Sequence, residues 1–145
     1  MSDHLSIAID GPVASGKTTV GLLVAKSLSA RFLDTGLMYR AITYVVNKRG
    51  TGTPSAADMT SIATSVKMQL ITIDKRERLI VDGQDITDQL REPSIERMVS
   101  QVSKVSGVRR ELVRMQQQIA CEGPIVMVGR DIGTIVLTNA TLKVY

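Results

Sequence analysis

Cysteine and histidine are almost missing from this 145-residue chain, which carries one of each. A lone Cys121 closes no internal disulfide, and with His4 as the single histidine there is no Cys/His metal cluster, so an inert thiol near a helix end is the simpler reading. Aromatic residues amount to 3% and tryptophan is absent. A net charge of +4 would suit nucleic acid, but a base-stacking platform is poorly supplied. No apolar run approaches the roughly 20 residues of a membrane span. Met1-Ser2-Asp3-His4 has neither the basic start nor the apolar core of a secretory signal. The expectation is a cytoplasmic protein that engages neither membrane nor nucleic acid. Internal repeats and low-complexity stretches are also lacking. What remains, 43% apolar and 22% charged residues, is ordinary for one domain with a real core.

The most informative stretch is Ile7-Ala8-Ile9-Asp10-Gly11-Pro12-Val13-Ala14-Ser15-Gly16-Lys17-Thr18-Thr19. A short apolar strand runs into a glycine-bounded loop and then a helix, the pattern and context of a phosphate-binding loop. Without a Cβ, Gly11 and Gly16 permit backbone angles that turn successive N–H groups onto one anion. Lys17 adds a mobile positive charge for the β- and γ-phosphates, and the Thr18 hydroxyl is placed to ligate Mg²⁺. A glycine-rich turn without nucleotide is the bland alternative.

In chain order, Leu5 to Ile9 reads as a strand buried on both faces of a parallel sheet. The following helix shows Val20, Leu23, Val24 and Leu28 at helical spacing, and Gly21 within it predicts a close approach of helix to sheet. Phe32-Leu33 leads through Asp34-Thr35-Gly36 into a helix with Leu37, Met38, Ala41, Ile42, Val45 and Val46 on one stripe, ending at Gly50. Thr35, Tyr39 and Arg40 therefore lie at a strand's carboxyl end, where open α/β sheets bind ligands. After the loop Thr51-Gly52-Thr53-Pro54, a capping box from Ser55 to Asp58 opens a helix running to Val66. Met68 to Val81 predicts an antiparallel hairpin with a charged tip, standing apart from the parallel sheet. Pro93 starts a helix with Ile95, Met98, Val99, Val102 and Val105 on one face, and a break at Ser106-Gly107 precedes another helix from Val108 to about Ala120. Arg97, Lys104, Arg109, Arg110 and Arg114 concentrate positive charge there against Glu111 alone, which suits a small anion or simply a solvated helix face. Pro124 to Val128 is a second buried strand, delivering Arg130 and Asp131 at its end as a ligand site or a plain salt bridge.

Four blocks taken together, Asp10-Gly11-Pro12…Gly16-Lys17-Thr18, Leu33-Asp34-Thr35-Gly36 with Met38-Tyr39-Arg40, Ser100-Gln101-Val102…Val108-Arg109, and Gly129-Arg130-Asp131-Ile132-Gly133-Thr134, resemble the bacterial cytidylate kinases in order and content. The resemblance implies an α/β fold of the P-loop nucleoside monophosphate kinase type: a parallel sheet flanked by helices, with an inserted lobe containing a small antiparallel hairpin. Residues 1–36 and 124–145 would form the P-loop core and 37–123 the CMP-binding region. It further implies ATP as donor, Mg²⁺ as cofactor and CMP or dCMP as acceptor, in a monomer. ATP would lie on Gly11, Pro12, Val13, Ala14, Ser15, Gly16, Lys17, Thr18 and Thr19, with Lys17 catalytic. The acceptor would lie against Thr35, Tyr39, Arg40, Ser100, Arg109, Arg130 and Asp131. Family members continue past the segment that Leu142-Lys143-Val144-Tyr145 begins, into an arginine-rich lid, so the activity of these 145 residues alone is left open. Another small-molecule P-loop kinase, or a nucleotide-binding module without phosphoryl transfer, are the alternatives; the N-K-x-D pattern of a guanine-specific GTPase is missing.

Overall fold

A computed structural model describes residues 4–12, 14–50 and 52–145; Val13 of the phosphate loop and Thr51 of the following loop lie outside the described residues. Four strands, β1 (Ser6–Asp10), β2 (Arg31–Asp34), β6 (Ile125–Gly129) and β7 (Leu142–Val144), form a parallel sheet in the order β2-β6-β1-β7. β6 lies between two partners and every residue in it is buried, which explains its uninterrupted apolar sequence. Helix α1 (Lys17–Ser27) covers one face of the sheet over Ile7, Ile9, Phe32, Val126 and Val128. On the other face α2 (Thr35–Arg49) and α5 (Ser106–Ala120) enclose the larger core around Leu33, Met38, Ile42, Leu112 and Met127. Helices on both faces of a parallel sheet are the arrangement expected of the fold.

Two expectations about packing change. The apolar stripe of α1 does not face the sheet: Val20 and Leu23 are 50% and 62% exposed and Leu28 is also exposed, while Gly21, Ala25 and part of Val24 make the contact. The reason is proximity. A Cβ on Gly21 would come within 2.6 Å of Val128 Cγ1 and 2.7 Å of Phe32 Cε1, so only small residues fit between helix and sheet. Apolar side chains surround the helix, so periodicity alone does not identify its buried face.

The hairpin also departs from expectation. β3 (Met68–Ile73) and β4 (Arg76–Val81) pair around the two-residue turn Asp74-Lys75, both with positive φ as a type I′ turn requires, and β5 (Gln84–Asp85) adds a third strand. It is a sheet of its own, as expected, but it packs onto the main core. Met68, Leu79 and Val81 belong to the same buried cluster as Leu33 and Met127, and Glu77 Oε1 accepts the Phe32 N–H of β2 at 3.1 Å. That bond occupies a free donor on the edge strand of the parallel sheet.

The remaining helices follow their start signals. α3 (Ala56–Ser65) opens on the complete capping box of Ser55 and Asp58, and α4 (Pro93–Ser103) has proline in its first turn. α5 begins at Ser106, two residues before the expected start, because Val105 supplies the extended capping position and Gly107 continues the helix close against Thr60 of α3.

Candidate active site

Parallel register pairs Asp10 with Gly129 and Asp34 with Val128, so the segments leaving β1, β2 and β6 emerge side by side. Together with α2, α4 and α5 they enclose a cavity of about 690 Å³ at the carboxyl edge of the sheet. This is the crevice in which open α/β sheets hold ligands.

The first wall is the loop after β1. Gly16 caps α1 in the left-handed region at φ 86°, a conformation glycine adopts without a Cβ penalty, and the free N–H groups of the first helical turn follow it. Lys17 Nζ donates to the carbonyl oxygens of Gly11 at 2.9 Å and Pro12 at 3.0 Å, which holds the ammonium across the loop. Ala14, Lys17 and Thr18 line the cavity; Gly11, Pro12, Ser15, Gly16 and Thr19 complete the loop beside it. The Thr18 hydroxyl donates to Asp34 Oδ2 at 3.5 Å, bringing two hard oxygen donors together, a set that can hold Mg²⁺.

The second wall comes from β2 and α2. Asp34 caps the helix by accepting the Gly36 N–H at 3.0 Å. Thr35 is buried and its hydroxyl donates to the Val128 carbonyl at 3.1 Å, so its proton is committed to the sheet and only its lone pairs remain for a ligand. Arg40 is held by Glu96 at 2.6 Å and by the Leu90 carbonyl at 3.4 Å, joining α2 to α4. Burial pushes the Tyr39 phenol above its ordinary range; nearby Arg109 opposes the shift and Asp131 adds to it.

The third wall follows β6. Asp10 accepts the N–H groups of Ile132 at 2.7 Å and Gly133 at 2.9 Å, and Asp131 sits in the left-handed region at φ 58°. One carboxylate on β1 therefore fixes the turn that presents Arg130 and Asp131, both exposed. Among the described residues no ion pair joins Arg130 to Asp131, so the plain salt bridge does not form.

Ser100 and Arg109 complete the wall, with Arg109 Nη1 donating to the Ser103 carbonyl at 3.5 Å. All seven residues expected at an acceptor site, Thr35, Tyr39, Arg40, Ser100, Arg109, Arg130 and Asp131, line the one cavity. The basic cluster divides. Lys104 and Arg109 reach the cavity, whereas Arg114 pairs with Glu111 at 3.1 Å on the outer surface. Asp34 and Gln116 also line it and were missed as site residues. Asp34 is recognisable from its place one residue before Thr35. Gln116 follows Arg109 and Val113 at helical spacing on one face of α5.

The cytidylate kinase family profile matches residues 7–145. Proteins named cytidylate kinase from Bacillus velezensis and Bacillus licheniformis are each 41% identical over the whole of this chain, which corresponds to 65% of each relative's length. One from Caldicellulosiruptor bescii is 40% identical over 141 residues, 97% of this chain and 62% of the relative. The chain thus spans slightly under two thirds of the length of the curated relatives it matches.

Proposed function

The chain belongs to the cytidylate kinase family, and on that premise we propose that it transfers the γ-phosphoryl group of ATP to CMP or dCMP. The observation supporting this reading is one continuous cavity running from Lys17 and Thr18 to Arg40, Arg109, Arg130 and Asp131. A donor-phosphate cradle and a second cationic wall, facing each other across one space, suit two anionic substrates.

An oxygen of the acceptor phosphate forms a bond to the γ-phosphorus while the bond to the β–γ bridging oxygen breaks, and ADP leaves with that electron pair. This reaction needs position and charge neutralisation, and no protein nucleophile. Loop N–H groups and Lys17 hold the donor phosphates; Arg40 offers a planar fork to the acceptor phosphate. Asp131 and the Ser100 hydroxyl can accept from the exocyclic amine of cytosine, which uracil lacks, and Arg109 can donate to ring acceptors. Thr18 and Asp34 would hold Mg²⁺, which when bound neutralises phosphate charge. Residues 37–123 then form the acceptor-binding region on a P-loop core of 1–36 and 124–145. Among the described residues no helix is long and apolar enough to cross a membrane; we take the enzyme to be a cytoplasmic monomer.

The test is titration of the 145-residue chain with CMP and with UMP, alongside an ATP-dependent assay for CDP on the same sample. CMP-selective binding with CDP formation is expected. Binding without preference between the two nucleotides overturns the acceptor assignment, and selective binding without turnover overturns the transfer step for this chain.

A further inference from the structure

The free edge of a sheet invites pairing with another chain, and three of the four edge strands here are blunted. β2 gives its Phe32 N–H to Glu77, β5 has only two residues, and β7 is three residues long with Lys143 at its centre. β3 has none of these devices. Its six residues Met-Gln-Leu-Ile-Thr-Ile contain no charge and no proline, their register with β4 runs without a bulge, and Ile71 and Ile73 are 40% and 49% exposed. The Lys67 carbonyl accepts the Asp82 N–H at 2.9 Å and Ile73 pairs with Arg76 across the turn, so the odd-numbered residues bond to β4. The N–H and C=O groups of Met68, Leu70 and Thr72 therefore point away from the hairpin, and among the described residues no backbone group outside it meets them.

We propose that this edge pairs with the same edge of a second copy of the chain, antiparallel about a two-fold axis at Leu70. Such an axis matches residues of one face, and only centring on Leu70 joins all the free groups: Leu70 to its counterpart, and Met68 to Thr72 twice. Charge agrees with that register. Lys67 then lies opposite Ile73 of the second copy, where its stem covers an exposed apolar side chain and its ammonium reaches Asp74. Among the described residues neither Lys67 nor Asp74 belongs to an ion pair within the chain. Centring on Ile71 would instead face groups already bonded to β4 and set Lys67 against Lys75. Each chain has one such edge, so association closes at two copies. So short a ladder belongs to the weak, transient class of interface. No β3 residue lines the cavity, so the single chain remains the unit of the reaction proposed above, and pairing is a reversible step beyond it.

The experiment is sedimentation equilibrium of the chain from micromolar to millimolar concentration, with amide hydrogen exchange at both ends of that range. A monomer–dimer equilibrium is expected. The amides of Met68, Leu70 and Thr72 should exchange more slowly at high concentration, while that of Ile71, already bonded to β4, should not change. Thr72→Pro removes one donor per copy where the hairpin does not use it, and should weaken dimerisation at least about fivefold. Lys67→Glu sets like charges side by side and should weaken it at least about threefold, and adding Asp74→Lys should restore it to within about twofold of wild type. Leu23→Lys, on the exposed side of α1, should leave it unchanged. A chain that stays monomeric at millimolar concentration, association lost in Leu23→Lys but kept in Thr72→Pro, or exchange slowed equally at Leu70 and Ile71 would each overturn the proposal. The exchange pattern is read on the wild type alone, so it decides the question even if a variant fails to fold.

Discussion

Replacing Asp10 tests whether the cavity's third wall is built by one carboxylate. Asp10 receives two backbone N–H groups, from Ile132 at 2.7 Å and Gly133 at 2.9 Å, and Ile132 is 1% exposed. Asp10→Ala leaves both donors without a partner, at about 1–3 kcal/mol each when water is excluded. Because Asp10 is only half-buried, water recovers part of this, and a total of about 2–3 kcal/mol is the reasonable expectation. For a chain of this size that lowers the melting temperature by about 6–10 °C. Asp10→Asn keeps one oxygen to accept a single bond and should lose about 1 kcal/mol, near 3 °C. Functionally, both variants release the left-handed turn at Asp131, so CMP affinity should fall in the same order, Ala below Asn below wild type. Thermal melts with matched CMP titrations read both quantities. Equal melting temperatures for wild type and Asp10→Ala, or full CMP affinity in a destabilised Asp10→Ala, would refute the claim that this carboxylate builds the site.

Gly21→Ala gains about 1 kcal/mol of helix propensity but drives a Cβ into Val128 and Phe32, where overpacking costs about 1–3 kcal/mol, so a net loss in urea unfolding is expected; a stabilised variant would contradict the close approach. If the proposed transfer holds, Lys17→Met should lower it by at least about 100-fold while sparing CMP binding, measured as CDP formation and calorimetry, since the ammonium lies across the phosphate loop and away from the acceptor wall. Hydrogen bonds from Arg78, with help from Thr87, hold the Asp85 carboxyl below its ordinary range, and bonds with Ser55 do the same for Asp58. Both groups thus contribute stability that is full above about pH 4 and is lost as pH falls through their depressed folded values. Urea midpoints measured from pH 6 to 3 should fall less steeply in Asp58→Asn and Asp85→Asn than in wild type.

The parts of the fold written locally were legible. The phosphate loop, the apolar strands β1 and β6, the Ser55 capping box and the proline start of α4 each depend on neighbours within a few residues. The close approach at Gly21 was legible for the same reason, a glycine where helix propensity argues against one. What the sequence concealed depends on distant partners. The buried face of α1 is chosen by Phe32 and Val128, and the position of the hairpin by Glu77 reaching Phe32, 45 residues away. At the site, residue types announced charge but not commitment: the Thr35 hydroxyl proton goes to the Val128 carbonyl, leaving its lone pairs toward the cavity, and Gln116, which α5 turns inward, carries no charge to mark it.

The position of β6 has a consequence for how the chain is made. Its partners on either side, β1 and β2, are complete by residue 34, yet neither can enter the parallel sheet until residues 125–129 have appeared. At about 5–20 residues per second of synthesis, the two early strands wait roughly 5–20 s for the strand that joins them. Throughout that interval Ile7, Ile9, Phe32 and Leu33 lack the sheet that buries them, and the first βα unit has no cooperative structure to enter. Folding of the sheet is thus gated by emergence of the segment carrying Arg130 and Asp131, so the stretch that brings these two side chains to the cavity also joins the two early strands.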